Sequence, residues 1–182
     1  MAAAIGLVEL SSIAKGIEVA DAMLKRARVD IVVNRTICPG KYMILIGGDV
    51  DAVNASVMTG VDLGDTQVID QFIIPNVHPS VFPALSGVNE FPELQALGVL
   101  EAFSVASIIE AADTAVKAAS VELITIHAAM AIGGKGYVTL TGDVASVTSA
   151  VDAGAEILSR RGLLVEKVVI PSPRKDIVYQ SI

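Results

Sequence analysis

Residues 5–30 read IGLVELSSIAKGIEVADAMLKRARVD, and residues 97–122 read LGVLEAFSVASIIEAADTAVKAASVE. The second stretch repeats the first at a spacing of 92 positions, with similar residue types and many identical residues. The identical pairs include Gly6 and Gly98, Glu9 and Glu101, Asp21 and Asp113, and Lys25 and Lys117. Self-similarity over this length at a fixed spacing indicates a duplicated domain.

The repeat resumes after an insertion of two residues, at a spacing of 94. Gly48-Asp49-Val50 then corresponds to Gly142-Asp143-Val144. We therefore predict two tandem domains in this chain of 182 residues, the first at residues 1–90 and the second at residues 91–182. Domains of this size can each bury a modest hydrophobic core.

The composition argues against several classes of partner. A formal net charge of -7 with 4% aromatic residues disfavours binding to nucleic acid or to an anionic membrane. The longest uncharged stretch, Gln71 to Asn89, is interrupted by Pro75, Pro79 and Pro83, so we expect no membrane span. The start of the chain lacks a basic leader, which predicts a cytosolic protein. Because 53% of the residues are hydrophobic, we also expect a homo-oligomer whose apolar surfaces are covered by other copies.

Hydrophobic periodicity predicts the same first elements in both repeats. Ile5 to Leu10 is typical of a strand, and Ser12 and Ser104 can cap the helices that follow. Each of these helices has apolar residues at helical spacing, so we expect that face to be buried in both domains. The face consists of Ile13, Ile17, Ala20 and Leu24 in the first helix and of Val105, Ile109, Ala112 and Val116 in the second.

Three further strands and a second helix complete each repeat. The predicted strands are 29–37, 42–46 and 67–75 in the first domain and 121–126, 137–140 and 163–171 in the second. Asp49 and Asp143 are placed to cap the second helix, and the valines one, four and eight positions later are expected to face inward. The resulting order, βαββαβ, predicts an α+β, ferredoxin-like fold for each domain, with residues 76–95 as the connection.

Both repeats resemble the bacterial microcompartment shell domain. The resemblance lies in Ala4-Ile5-Gly6-Leu7-Val8-Glu9, in the helix ending Asp21-Ala22-Met23-Leu24-Lys25, in the turn Gly48-Asp49-Val50, and in the endings Ile74-Pro75 and Ile170-Pro171. It implies a homotrimer of unpermuted tandem domains that forms a pseudohexameric tile, with a central pore lined by the loop after each domain's second strand. It further implies that the tiles pack with other shell proteins into a polyhedral shell around enzymes.

The resemblance also implies where the edge of the tile lies. A lysine late in the first helix of each domain, Lys25 or Lys117, would lie at that edge. The basic residue that the family has after the Ile-Pro ending is replaced by Asn76 and Ser172, so that edge contact is not expected in the same form.

Cys38 is the only cysteine of the chain. A lone cysteine is most often a small buried hydrophobic residue, and it fits a reducing compartment. The segment Thr36 to Lys41, however, is similar to that of the tandem shell proteins that carry an iron-sulfur cluster. This resemblance implies that threefold symmetry brings three Cys38 thiolates to the pore axis, where they bind three irons of one 4Fe-4S cluster per trimer. Water, another small ligand or a substrate would bind the fourth iron.

The expected pore loop consists of Ile37, Cys38, Pro39, Gly40 and Lys41 in the first domain and of Gly133 and Gly134 in the second. Arg35 and Lys41 flank the cysteine and either favour its thiolate or are solvated cations.

The second repeat has no thiol at the corresponding turn. Met130 or Ile132 replaces Cys38, depending on which side of the insertion is aligned. The glycine-rich segment 133–136 lacks the helix start that a phosphate-binding loop requires. His78 and His127 fall outside any metal-ligand spacing, so we expect them at a surface or an interface.

No arrangement of acid, base and nucleophile appears in the sequence, which predicts that the protein is not an enzyme. Because acidic residues such as Glu9 and Glu101 are duplicated, we expect them to stabilise the fold or the domain interface and not to act in catalysis. The leading hypothesis is a structural tile whose cluster transfers electrons across the shell or is delivered to encapsulated redox enzymes. The alternative is a tile whose pore passes a metabolite and is only narrowed by Cys38. An enzyme on a duplicated ferredoxin-like fold is least supported.

Overall fold

The computed structural model of the chain describes residues 3–87, 93–128, 132–174 and 176–179. The chain divides into two units, the first ending at Val77 and the second beginning at His78. The boundary predicted at residue 90 lies outside the described residues.

The first unit contains its elements in the predicted order. The strands are β1 (Ala4–Leu10), β2 (Val29–Ile37), β3 (Lys41–Gly48) and β4 (Val68–Pro75), and the helices are α1 (Ile13–Arg26) and α2 (Val50–Gly64). A 3-10 turn at Asp65–Gln67 leads from α2 into β4.

The second unit repeats this order between two short helices. It begins with α3 (Val81–Ser86), continues with β5 (Ala96–Ala102), α4 (Val105–Ala118), β6 (Glu122–Ala128), β7 (Gly136–Gly142), α5 (Val144–Arg160) and β8 (Leu164–Pro171), and ends with α6 (Asp176–Tyr179). The sequence predicts only a connection over residues 76–95, so α3 is an addition to the expected elements. Among the described residues, no helix is long and apolar enough to cross a membrane.

Each unit is built on a four-stranded antiparallel sheet. The strand orders are β2-β3-β1-β4 and β6-β7-β5-β8. In the first unit, alternate residues of β1 and β3 point to the helices and form a core with them. That core includes Ala4, Val8, Leu10, Val19, Met23, Ile44, Ile46 and Val53. The predicted fold class, two tandem βαββαβ domains of the ferredoxin-like type, is confirmed.

The strand register locates the two-residue insertion in one turn. Thr36 pairs with Tyr42 in the first sheet, and Ala128 pairs with Gly136 in the second. Five residues, 37–41, lie between the first pair, and seven residues, 129–135, lie between the second. Both hairpins carry the same irregularity earlier in the strand, between Ile31 and Val33 and between Leu123 and Thr125. The hairpins are therefore equivalent except at the turn.

A glycine on the first strand of each sheet lets the second helix approach closely. A Cβ atom on Gly6 would lie 2.5 Å from Cγ2 of Val57 and 2.7 Å from Cγ1 of Val53, both on α2. A Cβ atom on Gly98 would lie within 2.7 Å of Val151 Cγ2 on α5. The duplicated glycine thus sets the spacing between helix and sheet, because any side chain there would displace the helix.

The predicted buried face of the first helix is wrong for three of its four residues in α1. Ile17 is 56% exposed, and Ile13 and Leu24 are exposed as well. Ala20 is buried as predicted, and the core is otherwise contacted by Gly16, Val19 and Met23, which lie further around the helix. In α4 the predicted face is buried, since Ile109 is 0% exposed. The two copies of the helix therefore share a sequence pattern but not a degree of exposure.

The predicted caps are confirmed at three of four helix starts. Ser12 and Ser104 accept hydrogen bonds from Lys15 N and Ser107 N. Asp143 accepts hydrogen bonds from Ala145 N and Ser146 N at 3.0 Å, and the hydrogen bonds from Ser146 lower the pKa of Asp143.

The side chain of Asp49 makes no capping hydrogen bond to α2, so the predicted cap is wrong at this position. The inward direction predicted for the first valine of the helix is wrong at Val144, which is 45% exposed. Val144 is the first residue of α5, where the side chain has solvent on one side. The next two valines, Val53 and Val57 in α2, are buried as predicted.

We expect Gly6→Ala to lower the melting temperature of the protein, measured by circular dichroism. The added methyl group would overlap two β-branched side chains that have little rotamer freedom, and overpacking of this kind costs about 1–3 kcal/mol. Gly48→Ala is the control, because its Cβ atom would have no neighbour nearer than the Arg28 carbonyl oxygen at 3.4 Å. Equal melting temperatures for the two variants would contradict this account of Gly6.

Candidate functional site

The turn between β2 and β3 presents Cys38. Ile37 is buried at the end of β2, Cys38 is half-buried, and Pro39 and Gly40 are exposed. The Cys38–Pro39 peptide bond is cis. Gly40 has φ of +74°, and a Cβ atom there would meet nothing within 4 Å, so glycine is favoured by its backbone conformation and not by lack of space. The hairpin thus holds a partly accessible thiol between a buried residue and an exposed turn.

A buried ion pair fixes the far end of this turn. Lys41 Nζ lies 2.6 Å from Glu9 Oε1, and the Glu9 side chain is 3% exposed. Glu9 belongs to β1, which pairs directly with β3, so the ion pair joins the first residue of β3 to the neighbouring strand. The charge of Lys41 is therefore paired with a carboxylate of the sheet, and Lys41 is not simply a solvated cation.

Arg35 is the second cation near the cysteine in sequence. It lies on β2 opposite Met43 of β3. Its Nε atom is buried and has no hydrogen-bond partner among the described residues. The guanidinium is thus held against the sheet at this atom.

The corresponding turn of the second domain keeps the ion pair and changes its surroundings. Lys135 Nζ lies 2.8 Å from Glu101 Oε1, but the Glu101 side chain is 34% exposed. Gly133 and Gly134 have φ of +66° and +87°, which glycine adopts without strain. Residues 129–131, including Met130, lie outside the described residues. The glutamate–lysine ion pair is therefore preserved in both copies of the duplicated domain.

The two histidines have structural contacts. The ring of His127 stacks on Tyr137 with centroids 5.0 Å apart, at the positions that Arg35 and Met43 occupy in the first domain. His78 Nδ1 lies 2.7 Å from Ser80 Oγ. Both side chains are partly exposed, in agreement with the surface or interface placement expected for them. Among the described residues of one chain, no three His, Cys, Asp or Glu side chains are grouped so that they could hold a metal ion.

The lysines predicted at the tile edge pair with aspartates one helical turn earlier. Lys25 pairs with Asp21 on α1, where both side chains are largely exposed. Lys117 Nζ lies 2.6 Å from Asp113 Oδ2 on α4, and Asp113 is buried. Asp113 Oδ1 also accepts a hydrogen bond from the backbone N–H of His78 at 2.7 Å. The duplicated aspartate therefore anchors the connecting segment in the second domain, which agrees with the structural role expected of it.

Comparison with known proteins decides the family. The profile of the BMC domain matches residues 4–77 and again residues 96–173, which covers both sheets and their helices. The chain belongs to the BMC domain family. It is a structural shell protein of a bacterial microcompartment, so the resemblance and the shell localisation expected from the sequence are confirmed.

Two relatives match almost the whole chain. The bacterial microcompartment shell protein PduT of Citrobacter freundii is 47% identical over 182 residues, covering 100% of this chain and 99% of PduT. The crystal structure of a microcompartment protein from Desulfitobacterium hafniense superimposes with a TM-score of 0.90 at 55% identity, covering 96% of this chain and 97% of that one.

A third relative shares the fold with a different arrangement. The fused permuted hexameric shell protein MSM0275 from the RMM microcompartment matches with a TM-score of 0.62 at 25% identity, covering 86% of this chain and 81% of that one. The chain is therefore similar along most of its length to shell proteins of bacterial microcompartments.

We expect Lys41→Met to destabilise the protein by about 3 kcal/mol, because it leaves the buried Glu9 carboxylate without its counter-charge. Lys135→Met is the matched control in the second domain, and since Glu101 is partly solvated, it should cost about 1 kcal/mol or less. Denaturant unfolding of the two variants beside the unmodified protein measures both effects. Equal losses of stability would contradict the difference in burial between the two pairs.

Proposed function

We propose that three copies of the chain form a pseudohexameric tile whose central pore holds one 4Fe-4S cluster, bound by one Cys38 thiolate from each copy, for electron transfer across the shell. The observation that carries the proposal is the position of Cys38, the only cysteine, at a half-buried point of the β2–β3 turn. The tile would pack with other shell proteins and exchange electrons with encapsulated redox enzymes.

Exposed apolar residues support the trimer. Ile17 on α1 is 56% exposed, whereas Ile109, its counterpart on α4, is 0% exposed. Two homologous helices with the same apolar pattern are expected to bury that face to the same extent. In a single chain, however, the face is buried on α4 and largely exposed on α1. A second copy of the chain is the natural cover for α1, since exposed apolar faces mark interfaces.

The difference between the two turns supports a threefold site inside a sixfold ring. Between equivalent strand pairs, the first domain has the five residues 37–41, which include Cys38, and the second has the seven residues 129–135, which include no cysteine. A trimer with one such turn per chain therefore presents three thiols. A 4Fe-4S cluster is bound by cysteine thiolates, normally four, so three protein ligands leave one iron for water, another small ligand or a substrate.

The donor set fits the cluster once three copies are assembled. Cys38 would provide the thiolate, Gly40 would leave the approach to it open, and the Glu9–Lys41 ion pair would hold the turn in place. When bound, the cluster supplies one-electron chemistry. The exposed Lys25, and Lys117 on the second domain, would contact neighbouring tiles at their edges.

We expect Cys38→Ser to abolish iron binding and the brown colour of anaerobically purified protein while leaving a trimer. Serine keeps the size of the side chain but is a poor ligand for these irons. His127→Ala is the control, because it removes a potential ligand near the second turn and should retain the full iron content. Iron analysis, visible absorbance and native mass measure the outcome.

The same experiment separates this proposal from a pore that only conducts a metabolite. An unmodified trimer without iron would contradict the cluster and favour the conducting pore, in which Cys38→Ala changes metabolite flux through assembled shells without changing any redox signal.

A further inference from the structure

The last strand of each domain is followed by a segment that begins in the same way. Pro75 ends β4 and Pro171 ends β8, at a spacing of 96. The next residues, Asn76 and Ser172, both have positive φ values, +54° and +51°. The chain therefore leaves both sheets with the same backbone turn, and a short helix follows each time, α3 after β4 and α6 after β8.

The first of these segments covers an edge strand. Helix α3 packs against β6, which is the outer strand of its sheet, and also contacts α4. Val81 on α3 is 0% exposed, and Leu123 on β6 is 2% exposed. Ile126 and Ala128, further along β6, are buried as well. The segment that follows the first domain thus closes the edge of the second sheet.

The counterpart residues on strand β2 and on helix α6 are exposed in the single chain. Ile31 on β2, the counterpart of Leu123, is 46% exposed, and β2 is likewise the outer strand of its sheet. Ile177 on α6 lies 96 positions after Val81 and is 51% exposed. An apolar residue is thus exposed on the edge strand and another on the C-terminal helix, at the two positions whose counterparts are buried.

We propose that helix α6 of one copy packs across strand β2 of the next copy, with Ile177 against Ile31. The inference rests on the proposed trimer, because in a closed ring of alternating domains the tail of every domain meets the following domain. The tail of the second domain can then meet only the first domain of another copy. Three such contacts would link the ring from copy to copy.

The polarity of β2 defines the extent of this contact. Asn34 and Thr36 lie on β2 where β6 has the buried apolar residues Ile126 and Ala128. The apolar part of the contact therefore centres on Ile31, near the start of the strand. Beyond Ile31, the exposed side chains of β2 are those of Asn34 and Thr36, and such polar residues suit a solvated edge and discourage strand pairing with other proteins.

Site-directed cross-linking tests the contact. In a Cys38→Ser background, which contains no other cysteine, Ile31→Cys and Ile177→Cys are introduced together and treated with a short bis-maleimide. We expect denaturing gels to show covalent dimers and trimers, with a ladder that ends at three chains. The control carries Asn54→Cys, exposed on α2, with Ile177→Cys, and should remain largely monomeric on the gel.

Native mass measured before cross-linking separates this contact from the tile itself. A native trimer without cross-linked species, or with a link confined to a single chain, would overturn the docking of α6 and leave the tile standing. A native monomer would overturn both. Equal cross-linking in the control would also overturn the contact, because it would show that the C-terminal helix reaches distant surfaces at random.

Discussion

The ion pair between Glu9 and Lys41 joins two neighbouring strands at the point where the cysteine-bearing turn ends. Lys41 Nζ lies 2.6 Å from Glu9 Oε1, and the Glu9 carboxylate is nearly inaccessible to water. Neither charge can therefore be removed without leaving the other unpaired in the sheet. The pair fixes Lys41 at the start of β3 and thereby the position of the adjoining turn. The proposed metal site would need ligands held in a fixed geometry, and this interaction would supply that constraint within each copy.

Duplication explains both the symmetry of the proposed tile and its departure from symmetry. The second domain has the equivalent ion pair between Glu101 and Lys135, the same order of strands in its sheet, and the same shift of register in its hairpin. The insertion of two residues is confined to the turn, which is the part of the hairpin that is free to change without disturbing the register. The domains can therefore occupy equivalent places in a ring while only one of them presents Cys38.

Much of the fold could be predicted because its pattern occurs twice in the sequence. The strands, the order of elements and the serine caps are local features that depend on patterns of a few residues. Features that depend on tertiary packing were harder to predict. The apolar face of α1 is exposed although its pattern is that of a buried helix, and Asp49 lacks the capping bond that its counterpart Asp143 makes. The Glu9–Lys41 pair could have been found from the sequence, since both residues recur together in the second repeat.

We propose that divergence at one turn gives a sixfold ring a threefold metal site. Native mass spectrometry of the unmodified protein, prepared without oxygen, tests it most directly because it counts chains and cluster in one particle. We predict a mass of three chains plus a single 4Fe-4S cluster. A trimer with the mass of the three chains alone, or a monomer that carries iron by itself, would contradict this claim.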